Sequence, residues 1–208
     1  MTGTGKPWRL VLGSASPARL ATLRSAGLDP EVIVSGVDED AVHADRVPDL
    51  VAELARLKAT AVVGRLRAEG VAGPTIVLGG DSLLELDGRP YGKPADHAEA
   101  VGRWRRMRGR EGVLHTGHQI MIIDGDEVRE RNRTASTRVR FADLSDAEIE
   151  AYVATGEPLQ VAGAFTIDGL GGPFVTSIDG DHHTVVGISL PLLRELLAEL
   201  GVAWPELW

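Results

Sequence analysis

Apolar and polar positions change period several times along the chain, and each change predicts an element. Trp8 to Leu12 is an apolar run stopped by Gly13-Ser14, as in a buried strand. Ser16 to Gly27 reads as a helix: Ser16 suits the N-cap, Pro17 the first helical position and Gly27 the stop. Glu31 to Ser35 reads as a short strand. Val51, Leu54, Ala55, Lys58, Ala61, Val62 and Leu66 recur at three- and four-residue steps, which predicts a long amphipathic helix ending near Gly70. Thr75 to Leu78 predicts a strand that stops at Gly79-Gly80-Asp81.

The second half favours antiparallel pairing. Leu83 to Leu86, Asp87-Gly88 and Pro90-Tyr91 predict a hairpin. Asp96 and Glu99 open a helix with a capping box. Val113 to Ile123 and Val128 to Phe141 flank Asp124-Gly125 and predict two long strands. Ser145 with Glu148 caps a helix through Val153, Phe174 to Ile178 is a strand, and Leu190 to Leu200 is a closing amphipathic helix. Gly169 to Pro173 reads as a mobile loop. The expected fold class is α/β, a mixed twisted central sheet flanked by helices. Two lobes would divide near residues 81–95, where no linker composition appears, so residues 1–208 are expected to form a single domain.

Composition narrows the chemistry. With 208 residues, 43% hydrophobic and 25% charged, the chain can bury a sizeable core without staples. A net charge of −8 disfavours nucleic acid or an anionic membrane as partner, so an anionic ligand would need a local basic pocket or a metal. The absence of cysteine excludes disulfides, thiolate nucleophiles and Cys-based metal sites. The opening MTGTGKPWRL lacks an apolar signal core, and no run suffices to span a bilayer, so a cytoplasmic location is expected.

Five places could carry chemistry, and each also has a plain structural explanation. Gly13 to Arg19 puts two serines and an arginine at a helix N-terminus, which suits phosphate binding and equally fits a capped helix with a surface arginine. Asp38-Glu39-Asp40 could hold a hard cation such as Mg²⁺, or be a solvated acidic loop. Asp81, after two glycines at a strand end, could ligate metal or activate water, or be a turn residue. Lys93, before Pro94, could reach a phosphate, although a loop lysine usually faces solvent. Lys58 lies on the apolar stripe of its helix, where it must snorkel, pair or bind an anion. His115 and His118, three apart in a strand, would face opposite sides, so no zinc site is read there or at His182-His183. No GxxxxGK[ST] and no GxSxG is present. A phosphate cradle, acidic groups and two lysines together suit metal-assisted attack on a phosphate ester or anhydride.

Those segments, in order, are GSASPAR, VDED, LARLKA, LGGDSLLELDGRPYGKP, RGREGVLHTG, YVATGEPLQVAGAFTIDGLGG and IDGDHHTVVGISLPLL. Together they resemble the Maf family of nucleotide pyrophosphatases (septum-formation-inhibitor proteins). The resemblance implies a two-lobed, ITPase-like fold around a cleft. It also implies hydrolysis of a nucleoside triphosphate between the α- and β-phosphates, on non-standard or modified nucleotides, with a divalent metal (Mg²⁺ or Mn²⁺) and commonly as a homodimer. It matches Ser14, Ser16 and Arg19 to the phosphate-binding loop, with Ser82 a further substrate contact. Glu39 and Asp81 match the acidic pair and metal ligands, Asp81 as base or ligand, and Lys58 and Lys93 the basic positions holding the triphosphate.

Two positions depart from many relatives. Ala18 stands where a further arginine is common, and Asp168 where pyrimidine-specific relatives place a glutamine. An ionised carboxylate only accepts hydrogen bonds, so Asp168 suits a base edge rich in donors, such as guanine or 7-methylguanine; the alternative is that it braces the Gly-rich loop. Rival readings of the whole chain are a nucleotide-binding regulator of septum formation with little catalysis, and a phosphatase releasing inorganic phosphate. Trp204 and Trp208 are either exposed contact residues or packed back on the core.

Overall fold

The computed structural model describes residues 8–208; residues 1–7, most of the segment expected to lack a signal core, lie outside the described residues. β1 (Arg9–Leu12) pairs in parallel with β2 (Glu31–Val32) and with β3 (Thr75–Leu86). β3 pairs antiparallel with β4 (Arg89–Tyr91) and with β5 (Glu111–Asp124), and β6 (Glu127–Phe141) and β7 (Val175–Asp179) complete a seven-stranded mixed sheet. The expected mixed α/β architecture is therefore present. Among the described residues no helix is long and apolar enough to cross a membrane.

Helices cover the two faces unequally. α2 (Val47–Glu69) lies on one face, where Ala59, Val62 and Leu66 meet Val11, Val77 and Met121. The other face is shared. At one end α1 (Pro17–Ser25) and α6 (Leu190–Glu199) pack through Leu23, Leu193 and Leu196 on Leu78 and Ile120. At the other end α3 (His97–Met107) and α4 (Asp146–Ala154) pack around Trp104, Phe141 and Tyr152. Two cores on one sheet give two lobes with a trough between them.

Local chemistry explains most boundaries. The Ser16 hydroxyl accepts the Arg19 N–H at 3.4 Å, Asp96 accepts from Glu99 N–H at 2.8 Å, and Ser145 and Glu148 close a reciprocal capping box. Asp87 and Gly88 have φ of 54° and 74°, as a two-residue hairpin turn of the primed type requires.

Several expectations need correction. β3 does not stop at Gly79-Gly80-Asp81; it continues through them, so Asp81 sits in mid-strand. The reason is steric. A β-carbon at Gly79 would lie 2.2 Å from the Ala55 carbonyl oxygen, and one at Gly117 2.1 Å from that of Val51. These glycines let α2 approach the sheet at backbone contact instead of turning the chain. β2 covers only Glu31–Val32 of the expected Glu31 to Ser35, α2 starts at Val47 with Pro48 in its first turn, and α5 (His182–Val186) was not anticipated. The Gly-rich loop is tied down. The Glu157 carboxylate accepts hydrogen bonds from Tyr152 OH, Thr166 OH, Leu170 N–H and Gly171 N–H at 2.7–3.0 Å. Trp204 packs partly buried against the α1–α6 core, whereas Trp208 is 74% exposed and donates to the Ala26 carbonyl.

Candidate active site

The cleft arises from a gap at the edge of β3. One edge pairs with β5 from Thr75 to Glu85. The other pairs with β1 over Thr75–Leu78 and with β4 over Leu84–Leu86, leaving Gly79 to Leu83 without a strand neighbour there. Side chains from both sheet faces reach this gap. A cleft of roughly 610 Å³ opens at it, lined by Ser14, Ser16, Arg19, Glu39, Lys58, Asp81, Ser82, Lys93 and Asp168. Every site residue expected from the sequence thus borders a single cavity.

On the α2 face, Lys58 is the hub. Its ammonium lies 2.6 Å from Asp81 Oδ1 and 2.7 Å from Glu39 Oε1. Lys58 and Asp81 are buried, while Glu39 reaches in from an exposed loop. The apolar-stripe lysine therefore pairs; it does not snorkel. Burial pushes the Asp81 carboxyl above the usual carboxylate range, with Lys58 and Arg19 opposing that shift.

On the opposite face Arg19 is turned inward. It donates to the Gly187 carbonyl at 2.7 Å, to Ser14 Oγ at 2.8 Å and to Ser82 Oγ at 2.9 Å. Thr116 donates to the Thr184 carbonyl, so in the 2.8 Å contact between Ser82 and Thr116 the Ser82 hydroxyl is the donor. Ser14 Oγ also accepts from Ser16 N–H, leaving its own hydroxyl proton free for a ligand. Arg19 spends three of its five donors on the protein and is only 7% exposed, so it frames the cradle more than it faces solvent. Thr116 and Gly187 lie in the segments RGREGVLHTG and IDGDHHTVVGISLPLL but were not singled out there, because they lie far from Arg19 in sequence.

Lys93 borders the far wall, is exposed, and makes no salt bridge with a described residue. The cleft is lined by the cations Arg19, Lys58 and Lys93 and by the carboxylates Glu39, Asp40, Asp81 and Asp168, so its lining carries no positive surplus. It is not a basic pocket, so of the two means of holding an anionic ligand expected from the net charge, a metal is the one such a ligand would need here. Asp168 is exposed at the same wall. The brace of the Gly-rich loop is Glu157, a residue no motif had singled out.

The donor set fits a hard divalent cation. Glu39 and Asp81 each give Lys58 one oxygen, and the second oxygen of each makes no hydrogen bond with a described residue. Carboxylate and hydroxyl oxygens are the ligands Mg²⁺ and Mn²⁺ prefer. His115 and His118 do face opposite sides: His115 contacts Glu85 and Ser136, and His118 accepts from Ser189 N–H. Asp181, His182 and His183 bring donor atoms within 4.8 Å of one another, but Asp181 already caps α5 by accepting from His183 N–H and Thr184 OH.

Known proteins resemble this chain over nearly its whole length. A protein of Salinispora tropica named nucleoside triphosphate pyrophosphatase is 61% identical over 202 residues, covering 97% of this chain and 88% of its own. Proteins of the same name from Streptomyces coelicolor and Cutibacterium acnes are 56% and 54% identical over 200 residues, covering 96% and 95% of this chain and 94% and 93% of theirs. The solved structure of the Staphylococcus aureus Ham1 protein aligns with 65% of this chain and 72% of its own at 20% identity and a TM-score of 0.36, too weak a likeness to carry an argument. The family model described as Maf-like protein matches residues 9–200, which takes in the serine cradle, the Lys58 hub and both cleft walls, and the chain belongs to that family.

Proposed function

We propose that this protein is a nucleoside triphosphate pyrophosphatase that cleaves between the α- and β-phosphates of non-standard or modified nucleotides, giving a monophosphate and pyrophosphate. The observation that carries the reading is the Lys58–Asp81–Glu39 cluster set beside the first turn of α1, with Lys93 across the same cleft. Ser14 and Ser16 donate to phosphate oxygens at the positive end of α1. Lys58 and Lys93 stabilise the charge that grows on the leaving pyrophosphate. With one oxygen on Lys58, Asp81 has a single oxygen for the reaction, which either takes the proton of the water attacking the α-phosphorus or holds the metal. A divalent metal (Mg²⁺ or Mn²⁺), held by the free oxygens of Glu39 and Asp81, would supply Lewis-acid neutralisation of the phosphates.

Asp168 faces the base and favours guanine-type nucleotides over uridine or thymidine types, because a carboxylate accepts from the guanine N1–H and 2-amino donors. A panel of triphosphates with Mg²⁺ or Mn²⁺ and product identification tests all of this. The expected product is pyrophosphate, fastest from a guanine nucleotide. Inorganic phosphate as sole product would make the protein a phosphatase, and saturable binding without product a regulator. Faster cleavage of UTP or dTTP than of every guanine nucleotide would remove the role of Asp168. A mass measurement in solution tests the homodimer.

A further inference from the structure

Arg103 is a buried cation that the reaction above does not use. It lies on α3 and is 4% exposed, and its Nε is a buried donor with no partner among the described residues. Its other nitrogens donate to the Gly92 carbonyl and, at 2.6 Å, to Glu99. The guanidinium also lies over the Tyr91 ring, 5.0 Å from its centroid. Burying a guanidinium with one donor unsatisfied costs free energy that a methionine of similar length would not cost. Packing alone therefore does not account for an arginine here.

The Gly92 carbonyl is a junction. It accepts from Arg103 and also, at 3.0 Å, from Gly163 N–H. It thereby joins the strand-to-helix loop carrying Lys93 both to α3 and to the segment that continues into the cleft wall at Phe165 to Asp168. Gly163 (φ +75°) can lie so close because a β-carbon there would be 2.9 Å from Leu84 Cβ. On its other side Lys93 precedes Pro94, which confines the Lys93 backbone to extended conformations. The peptide carrying Lys93 is thus held at both ends, while its side chain makes no hydrogen bond or salt bridge with a described residue.

We propose that Arg103 is a positioning residue for the triphosphate: through the Gly92 carbonyl it holds Lys93 at the cleft. The proposal rests on the reading of Lys93 as a triphosphate contact. Preorganisation of this kind matters because small displacements of a charged group are costly in a reaction that depends on placement.

The test is a double-mutant cycle of Arg103→Met and Lys93→Ala, with kcat and KM measured for pyrophosphate release and thermal unfolding followed in each variant. Arg103→Met is expected to lower kcat/KM roughly ten- to a hundredfold with little change in the unfolding midpoint. In the Lys93→Ala background the same substitution is expected to have almost no further effect. Arg103→Lys keeps one donor for Gly92 and should recover much of the activity. An equal fold-loss in both backgrounds, or no loss in either, overturns the proposal. If Arg103→Met does not fold, Arg103→Gln replaces it in the cycle. Full activity of Lys93→Ala alone would defeat the reading of Lys93 itself, and that result is distinct from additivity in the cycle.

Discussion

Asp81 and Ser82 are consecutive on β3 and face opposite sides of the sheet, yet both reach one cleft. Asp81 meets Lys58 from α2, and Ser82 meets Arg19 and Thr116 on the other face. This works only because β3 has no neighbour along one edge between the end of β1 and the start of β4. The site is a wrapped edge, with a charge cluster on one face and a hydroxyl–guanidinium frame on the other.

Asp81→Asn should abolish turnover while leaving the fold intact. Loss of a general base commonly costs about 10²–10⁴ in rate. Burial raises the Asp81 carboxyl, so its protonated form is favoured in the folded state, and that contribution is lost as pH rises through the raised folded value. The neutral amide removes this charge cost but also one of the two carboxylate partners of buried Lys58; the two changes oppose each other, so unfolding in urea at neutral pH should shift little. Full pyrophosphate release by the variant would exclude Asp81 from the reaction.

His118 should make the fold acid-sensitive. Its ring accepts from Ser189 N–H and donates to the Thr116 carbonyl, and burial, with Arg19 nearby, lowers it from 6.5 to about 4. The neutral ring is favoured in the fold, so stability is complete above pH 6.5 and falls as pH drops toward about 4. That interval corresponds to about 3 kcal/mol at most. His118→Gln, which can still accept from Ser189, should flatten the slope of stability against pH across this window. An unchanged slope would contradict the assignment.

Removing the Glu157 carboxylate should release the Gly-rich wall. Burial works to raise that carboxyl, but hydrogen bonds from Thr166, Leu170, Tyr152 and Gly171 outweigh it and hold it below its ordinary value. Its contribution is present above the unfolded value and is lost as pH falls through the folded one. Glu157→Ala should cost about 2 kcal/mol and speed amide exchange at Leu170 and Gly171. Unchanged exchange there would show that the loop has another anchor.

The two β3 glycines should respond differently to alanine. At Gly79 the new carbon would meet the Ala55 backbone oxygen at 2.2 Å, and neither partner can move without shifting α2. A loss of about 3 kcal/mol or more, or failure to fold, is expected. At Gly80 the nearest atom is Arg19 Nε at 3.3 Å, part of a side chain held by three hydrogen bonds and not of a backbone, so that variant should fold with a disturbed cradle. Comparable stability of the two variants would refute this account of the helix–sheet contact.

What the sequence by itself determined was local. Ser16, Asp96 and Ser145 cap helices through partners three residues away, and Asp87-Gly88 turns a hairpin through its own backbone angles. Interactions of that range are written in adjacent letters. The candidate list was legible as well, because Ser14, Lys58, Asp81 and Lys93 stand beside the breaks and stripes where a cleft can form. Tertiary structure alone decided the rest. Gly79 reads as a stop and proves to be a contact, since its requirement comes from a helix more than twenty residues away. Arg19 reads as an outward phosphate ligand and proves to join α1, β3 and Gly187. Glu157 and Arg103 were not singled out, because what each holds is a backbone group of a segment apart in sequence, and such a partner exists only once the chain has folded.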